Sequence, residues 1–148
     1  MIYIPTYFGL EELACDHVYN KYGEFAWNFF DTRLLIMGDT IRDKIGKAIY
    51  ANDWYIHGKL SQRGLRCPFC QIVKDKVANG ELYMSAHCLG KGFDFTIEGM
   101  LAEETRRWLI SKQSLWPYPF RLEDGVDWIH LDLYHDGREQ KVYLFNAA

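Results

Sequence analysis

Residues 127–133 leave little freedom in how they can fold. Trp128, His130 and Asp132 alternate with Ile129, Leu131 and Leu133, the period of a strand with one apolar face buried and one polar face turned away from the core. That pattern puts His130 and Asp132 on the same side. A second stretch, residues 85–95, sets His87 and Asp94 seven positions apart, with Gly90 and Gly92 between them and an apolar, strand-like run at its end. A loop with glycines can return on itself, so both side chains can reach one point. If the His130 strand lies beside this loop, two imidazoles and one carboxylate converge. Such a set of three ligands leaves a zinc ion (Zn2+) one open position.

The rest of the chain builds the fold around that pair. The spacing of Leu10, Leu13, Ala14 and Val18 predicts a helix over 10–22 that Gly23 stops. Asp31 and Thr32 cap a longer helix whose inward positions are Leu34, Leu35, Ile41, Ile45 and Ala48, with Gly38 a weak point. Residues 49–55 read as a short strand, and the polar stretch 57–66 as a loop of the kind where binding residues collect. Pro68 opens a helix through Ile72, Val73 and Val77 that stops at Asn79 and Gly80. A helix over 101–113 sets Leu101, Thr105, Trp108 and Leu109 opposite its charges, and Pro117 and Pro119 end it. Strands are predicted at 119–122, 126–134 and 141–146, the last two joined as a hairpin through the turn 135–138. Helices early and strands late predict an α+β fold: an antiparallel sheet with helices packed on one face and the site on the open face.

At 148 residues the chain is expected to form one domain, 1–148, with a core that needs no disulfides. Its 49% hydrophobic content and net charge of -3 are those of a soluble globular protein and argue against nucleic acid as a partner, because phosphate recognition needs a basic face. No apolar run approaches the roughly 20 residues of a membrane span. The start of the sequence has neither a basic leader nor an apolar stretch before a cleavage site, which predicts synthesis in the cytoplasm and reduced cysteines. A monomer is expected.

Together the two motifs resemble those of the M15 metallopeptidases, the family of D-alanyl-D-alanine carboxypeptidases, vancomycin-resistance dipeptidases and phage endolysin peptidases. The family pattern is S-x-H-x-x-G-x-A-x-D followed by E-x-x-H. Ser85, His87, Gly90 and Asp94 match the first part, with Gly92 at the usual alanine; His130, with Trp128 as the nearby aromatic, matches the second, and Asp127 stands where Glu is usual. Gly64-Leu65-Arg66 resembles the family's arginine-bearing strand end, and 34–54 the helix and strand leading to it. The resemblance implies a fold like that of the hedgehog proteins and D-Ala-D-Ala peptidases, and a zinc-dependent peptidase that hydrolyses peptidoglycan stem peptides as carboxypeptidase or endopeptidase. It further implies zinc on His87, Asp94 and His130, Asp127 as general base and acid, Arg66 as the donor to the developing oxyanion, and Ser85 and Trp128 against the substrate. A wall-cutting enzyme made without a leader would reach peptidoglycan after phage-mediated release.

The residues themselves keep alternatives open. By strand period Asp127 falls on the face opposite His130 unless the chain turns between Val126 and Ile129, and Glu123 is then a second candidate base. Asp132 is placed to brace an imidazole. Pattern does not separate Arg63 from Arg66. Cys67-Pro68-Phe69-Cys70 is half of a structural zinc site or a redox pair; there is no second C-x-x-C, and Cys15 and Cys88 are spaced as in no zinc finger, so two buried cysteines at a helix start are expected. His17, His57 and His135 have no partner pattern. The rival to catalysis is a non-catalytic zinc-containing binding module on the same scaffold.

Overall fold

The first half of the chain is helical in the computed structural model, which describes residues 2–147. Leu10–Leu13 (α1) and Asp16–Tyr22 (α2) are separate helices, where apolar spacing predicted one. The break comes from a distant partner. Ala14 bridges Leu65, with the Leu65 N–H donating to Leu13 O at 2.7 Å and the Cys15 N–H to Leu65 O at 3.1 Å. Backbone groups that a continuous helix would have used are thus committed elsewhere.

A 3-10 stretch, Gly23–Phe29, leads into Thr32–Ile45 (α3). Asp31 caps α3 by accepting from the Arg33 N–H at 3.0 Å, and Gly46, left-handed at φ 65°, ends it. Ala48 therefore lies outside the helix. Strand β1 is only Ile49–Tyr50, shorter than predicted, because the chain folds back at Asp53: its N–H donates to Leu60 O at 2.9 Å and its carboxylate accepts from the Leu60 N–H at 2.8 Å. Gln71–Ala78 (α4) follows Pro68 by one turn.

Gly92–Ile97 (β2), Phe120–Glu123 (β3), Ile129–Asp132 (β4) and Val142–Phe145 (β5) complete a five-stranded sheet, with Ala102–Ser111 (α5) between β2 and β3. The strand order is β1-β2-β4-β3-β5, so the fold is α+β with a mixed sheet. Two expectations are corrected here. The sheet is not wholly antiparallel, because β5 pairs with β3 in parallel, and residues 135–138 do not close a β4–β5 hairpin. Both edges of β4 are already taken, by β2 and β3. A strand returning from the end of β4 must pass to the free edge of β3, and running antiparallel to β4 makes it parallel to β3.

The β2–β4 register sets Phe93 against Leu131 and Phe95 against Ile129, all buried. With Leu109 of α5 and Leu34, Leu35 and Ile41 of α3 they belong to one hydrophobic cluster, where each buried Leu, Ile or Phe contributes about 1.5–3 kcal/mol. The alternate residues, Asp94, His130 and Asp132, turn to the other face. One charge of α5 does not face solvent: Arg106 is buried and donates to Trp128 O at 3.1 Å and Glu123 O at 3.4 Å, fastening the β3–β4 connection. No described helix is long and apolar enough to cross a membrane.

Candidate metal centre

Asp94 and His130 lie directly opposite each other across the β2–β4 ladder, so their side chains leave the sheet on the same face. His87 reaches them from the turn before β2. That turn is closed by the Cys88 N–H on Ser85 O at 3.0 Å and the Lys91 N–H on Ala86 O at 2.9 Å. Gly90 in it has φ +67°, and a Cβ there would sit 2.0 Å from Phe29 O, so only glycine fits. The Ser85 hydroxyl accepts from the His87 N–H at 3.2 Å.

Three ligand atoms meet at the top of this face. His87 Nε2 is 3.2 Å from His130 Nδ1 and 3.3 Å from Asp94 Oδ1, and His130 Nδ1 is 2.8 Å from Asp94 Oδ1. A tetrahedral ion bound at about 2.0–2.2 Å holds its ligand atoms roughly 3.3–3.6 Å apart, so a slight spreading of this triangle accepts one. The outward nitrogens decide what the inward ones can do. His87 Nδ1 donates to Gly64 O at 2.8 Å and His130 Nε2 donates to Asp132 Oδ2 at 2.7 Å. With a proton fixed on each outer nitrogen, a neutral ring presents its inner lone pair. The donor set and the fixed tautomers therefore fit a divalent metal, and the three residues form a group able to hold one.

Charge is arranged to match. Burial would raise the Asp94 carboxyl, but the neighbouring imidazoles of His130 and His87 outweigh it and hold the group well below the usual carboxylate range. Burial would lower the His130 imidazole, but hydrogen bonds to Asp132 and Asp94 push it up to about 9. For His87 burial wins and the pKa falls. Asp132, despite its burial, is held low by His130 and Arg121, the latter 2.8 Å away through Nε.

The centre opens into a cavity of about 320 Å³, whose walls include Arg66, Tyr83, Ser85, Arg121, Glu123, Trp128 and Tyr134. Arg66 is the arginine that points inward, with Nη2 3.5 Å from Asp94 Oδ2 and Nη1 donating to Tyr83 OH at 2.9 Å. Arg63 instead turns to Tyr50 O and Ala51 O. Trp128 lines the mouth and is 39% exposed. Asp127 is exposed, on the bend 124–128, and does not line the cavity; Glu123 does. The regular pleat begins only at Ile129, and Arg106 holds the backbone on both sides of Asp127. Tyr83, Arg121 and Tyr134 went unnoticed in the sequence, although the period of β3 places Arg121 and Glu123 together on one face. His57 caps a 3-10 turn at φ 68° and is not part of the centre.

No protein-family model, curated protein or solved structure matches the chain.

Proposed function

We propose that the chain is a zinc-dependent peptidase of the M15 type, with a hedgehog-like peptidase fold, that hydrolyses peptidoglycan stem peptides. The observation that carries this reading is the commitment of both outer imidazole nitrogens, to Gly64 O and to Asp132, which leaves two inner nitrogens and the Asp94 carboxylate facing one point beneath an open cavity. Two imidazoles and one carboxylate with room for a further ligand suit zinc better than the all-oxygen shells of calcium or magnesium. Zinc bound there would supply Lewis acidity, polarising a scissile carbonyl and acidifying water.

The chain's own groups do the rest. Arg66, fixed by Tyr83 and by the Gln62 carbonyl that accepts from its Nε at 2.6 Å, brings positive charge to the edge of the centre, where a carbonyl oxygen gains negative charge in the transition state. Glu123, not Asp127, is the carboxylate assigned to take a proton from water and pass it to the leaving amine. Ser85 keeps the His87 loop closed, and Trp128 offers an aromatic wall to the peptide. Access to the cell wall would follow phage-mediated release.

The test is digestion of purified peptidoglycan followed by mass spectrometry of the products. The protein should release peptides with new termini, chelator should stop it and zinc restore it. Glu123→Gln should keep the metal and lose about 10²–10⁴-fold in turnover, while Asp127→Asn stays near wild type. The exposure of Asp127 favours one rival, a non-catalytic zinc-containing binding module. Metal-dependent retention on peptidoglycan without any cleavage would select it.

A further inference from the structure

Away from this centre, four more ligand atoms converge. Cys15, His17, Cys67 and Cys70 each offer one atom, all within 4.8 Å of one another, and they come from two separated stretches of chain. Cys15 and His17 flank the start of α2, while Cys67 and Cys70 close a tight turn in which the Cys70 N–H donates to Cys67 O at 3.1 Å. The Phe69 N–H points at Cys67 Sγ at 3.4 Å, a contact that stabilises a thiolate. Cys67 Sγ and Cys70 Sγ are 4.0 Å apart, as are Cys70 Sγ and His17 Nδ1.

A tetrahedral zinc with sulfur at about 2.3 Å and nitrogen at about 2.0 Å sets its ligand atoms roughly 3.5–3.8 Å apart, so these two separations need to close by a few tenths of an ångström, and the others, all within 4.8 Å, by no more than about 1.3 Å. The ordinary account of buried cysteines is that they pack as small hydrophobes. That suits Cys15 and Cys70, at 0% and 2% exposure, but it does not account for an imidazole nitrogen joining three sulfurs. A redox pair needs Cys67 and Cys70 alone and leaves Cys15 unexplained, while His17, exposed and with Nδ1 also 3.5 Å from Asp16 Oδ1, is free to turn to the sulfurs. Cys88, the other thiol, is outside the group.

We infer that Cys15, His17, Cys67 and Cys70 form a structural Cys3His site for zinc. The ion would tie the α1–α2 junction to the segment that follows Arg66, reinforcing the bridge between Ala14 and Leu65. The inference stands independently of the peptidase reading, since none of its ligands belongs to the first centre.

Cobalt(II) is the probe, because thiolate ligation gives an intense charge-transfer absorption that nitrogen and oxygen ligands do not. Reduced, metal-free protein titrated with cobalt should develop this absorption to the amplitude of one thiolate-ligated ion per chain, whether or not a second ion enters the first centre. His87→Ala combined with Asp94→Ala should keep its full amplitude, and Cys67→Ser combined with Cys70→Ser should abolish it. His17→Ala should keep the charge-transfer band and alter the visible ligand-field bands; unchanged visible bands would overturn the four-ligand assignment. Absence of the charge-transfer band in the unsubstituted protein, or its survival in the double serine variant, would overturn the site. Should the serine variant not fold, X-ray absorption of zinc-loaded His87→Ala protein decides. Three sulfurs and one nitrogen are expected, and a sulfur-free shell contradicts the proposal.

Discussion

His130 is caught between two carboxylates, and this sets how the first centre responds to pH. Without metal its imidazole is pushed up to about 9, against about 6.5 in an unfolded chain. A raised pKa means that the proton is bound more tightly in the folded protein. The resulting stability is fully present below about 6.5 and is lost as pH rises through about 9. At pH 7 the ring therefore carries a proton on Nδ1 that a metal must displace. Zinc binding at pH 7 is expected to release on the order of one proton from this residue, with the release fading as pH approaches 9. Calorimetric titration of the Cys67→Ser, Cys70→Ser protein, in which the cysteine cluster no longer contributes protons, in buffers of different ionisation enthalpy measures it, and buffer-independent heats at pH 7 would contradict the assignment of Nδ1 as a ligand. Asp132 holds the opposite nitrogen at 2.7 Å, so Asp132→Asn should weaken metal binding by roughly 10–100-fold in the same titration.

At the scale of elements, the turn over 85–91 and strand β2 determine whether His87 and Asp94 meet. Gly90 and Gly92 look alike in sequence but differ physically. A Cβ on Gly90 would meet Phe29 O at 2.0 Å in a left-handed backbone, whereas one on Gly92 would meet the Ala86 and Asp132 Cβ atoms at 3.0 and 3.1 Å and Leu131 O at 3.4 Å. Gly90→Ala is expected to destabilise the fold by about 2 kcal/mol or more and Gly92→Ala by clearly less, as read from thermal unfolding. Equal effects would mean that the turn is not held against Phe29. The sequence was most legible where structure is local. The period of β4 placed His130 and Asp132 on one face, and the Asp31 cap could be read directly, although the helix it opens ends at Ile45 and not beyond Ala48. What could not be read depended on distant partners: the break at Ala14 needs Leu65, the place of β5 needs both edges of β4 filled, and the Asp127 bend needs Arg106. His17 was missed for the same reason, since nothing near it in the chain announces Cys67 and Cys70.

Across the whole molecule, work is divided between the two faces of the sheet. The apolar face carries the core with α3 and α5, and the polar face carries the centre, so the core does not rely on His87, Asp94 or His130. His87→Ala should therefore abolish metal binding at this centre while leaving the far-ultraviolet circular dichroism unchanged. Loss of the spectrum would make the residue part of the scaffold and not of a site. Arg66 and Cys67, adjacent in sequence, face the two candidate metal positions.

The central claim is that two imidazoles and one carboxylate hold a single ion. Anomalous diffraction at the zinc absorption edge, from crystals grown with zinc, tests it directly. A peak bonded to His87 Nε2, His130 Nδ1 and the Asp94 carboxylate is the predicted result. Data showing no peak there, with the three side chains turned into separate pockets, would contradict it.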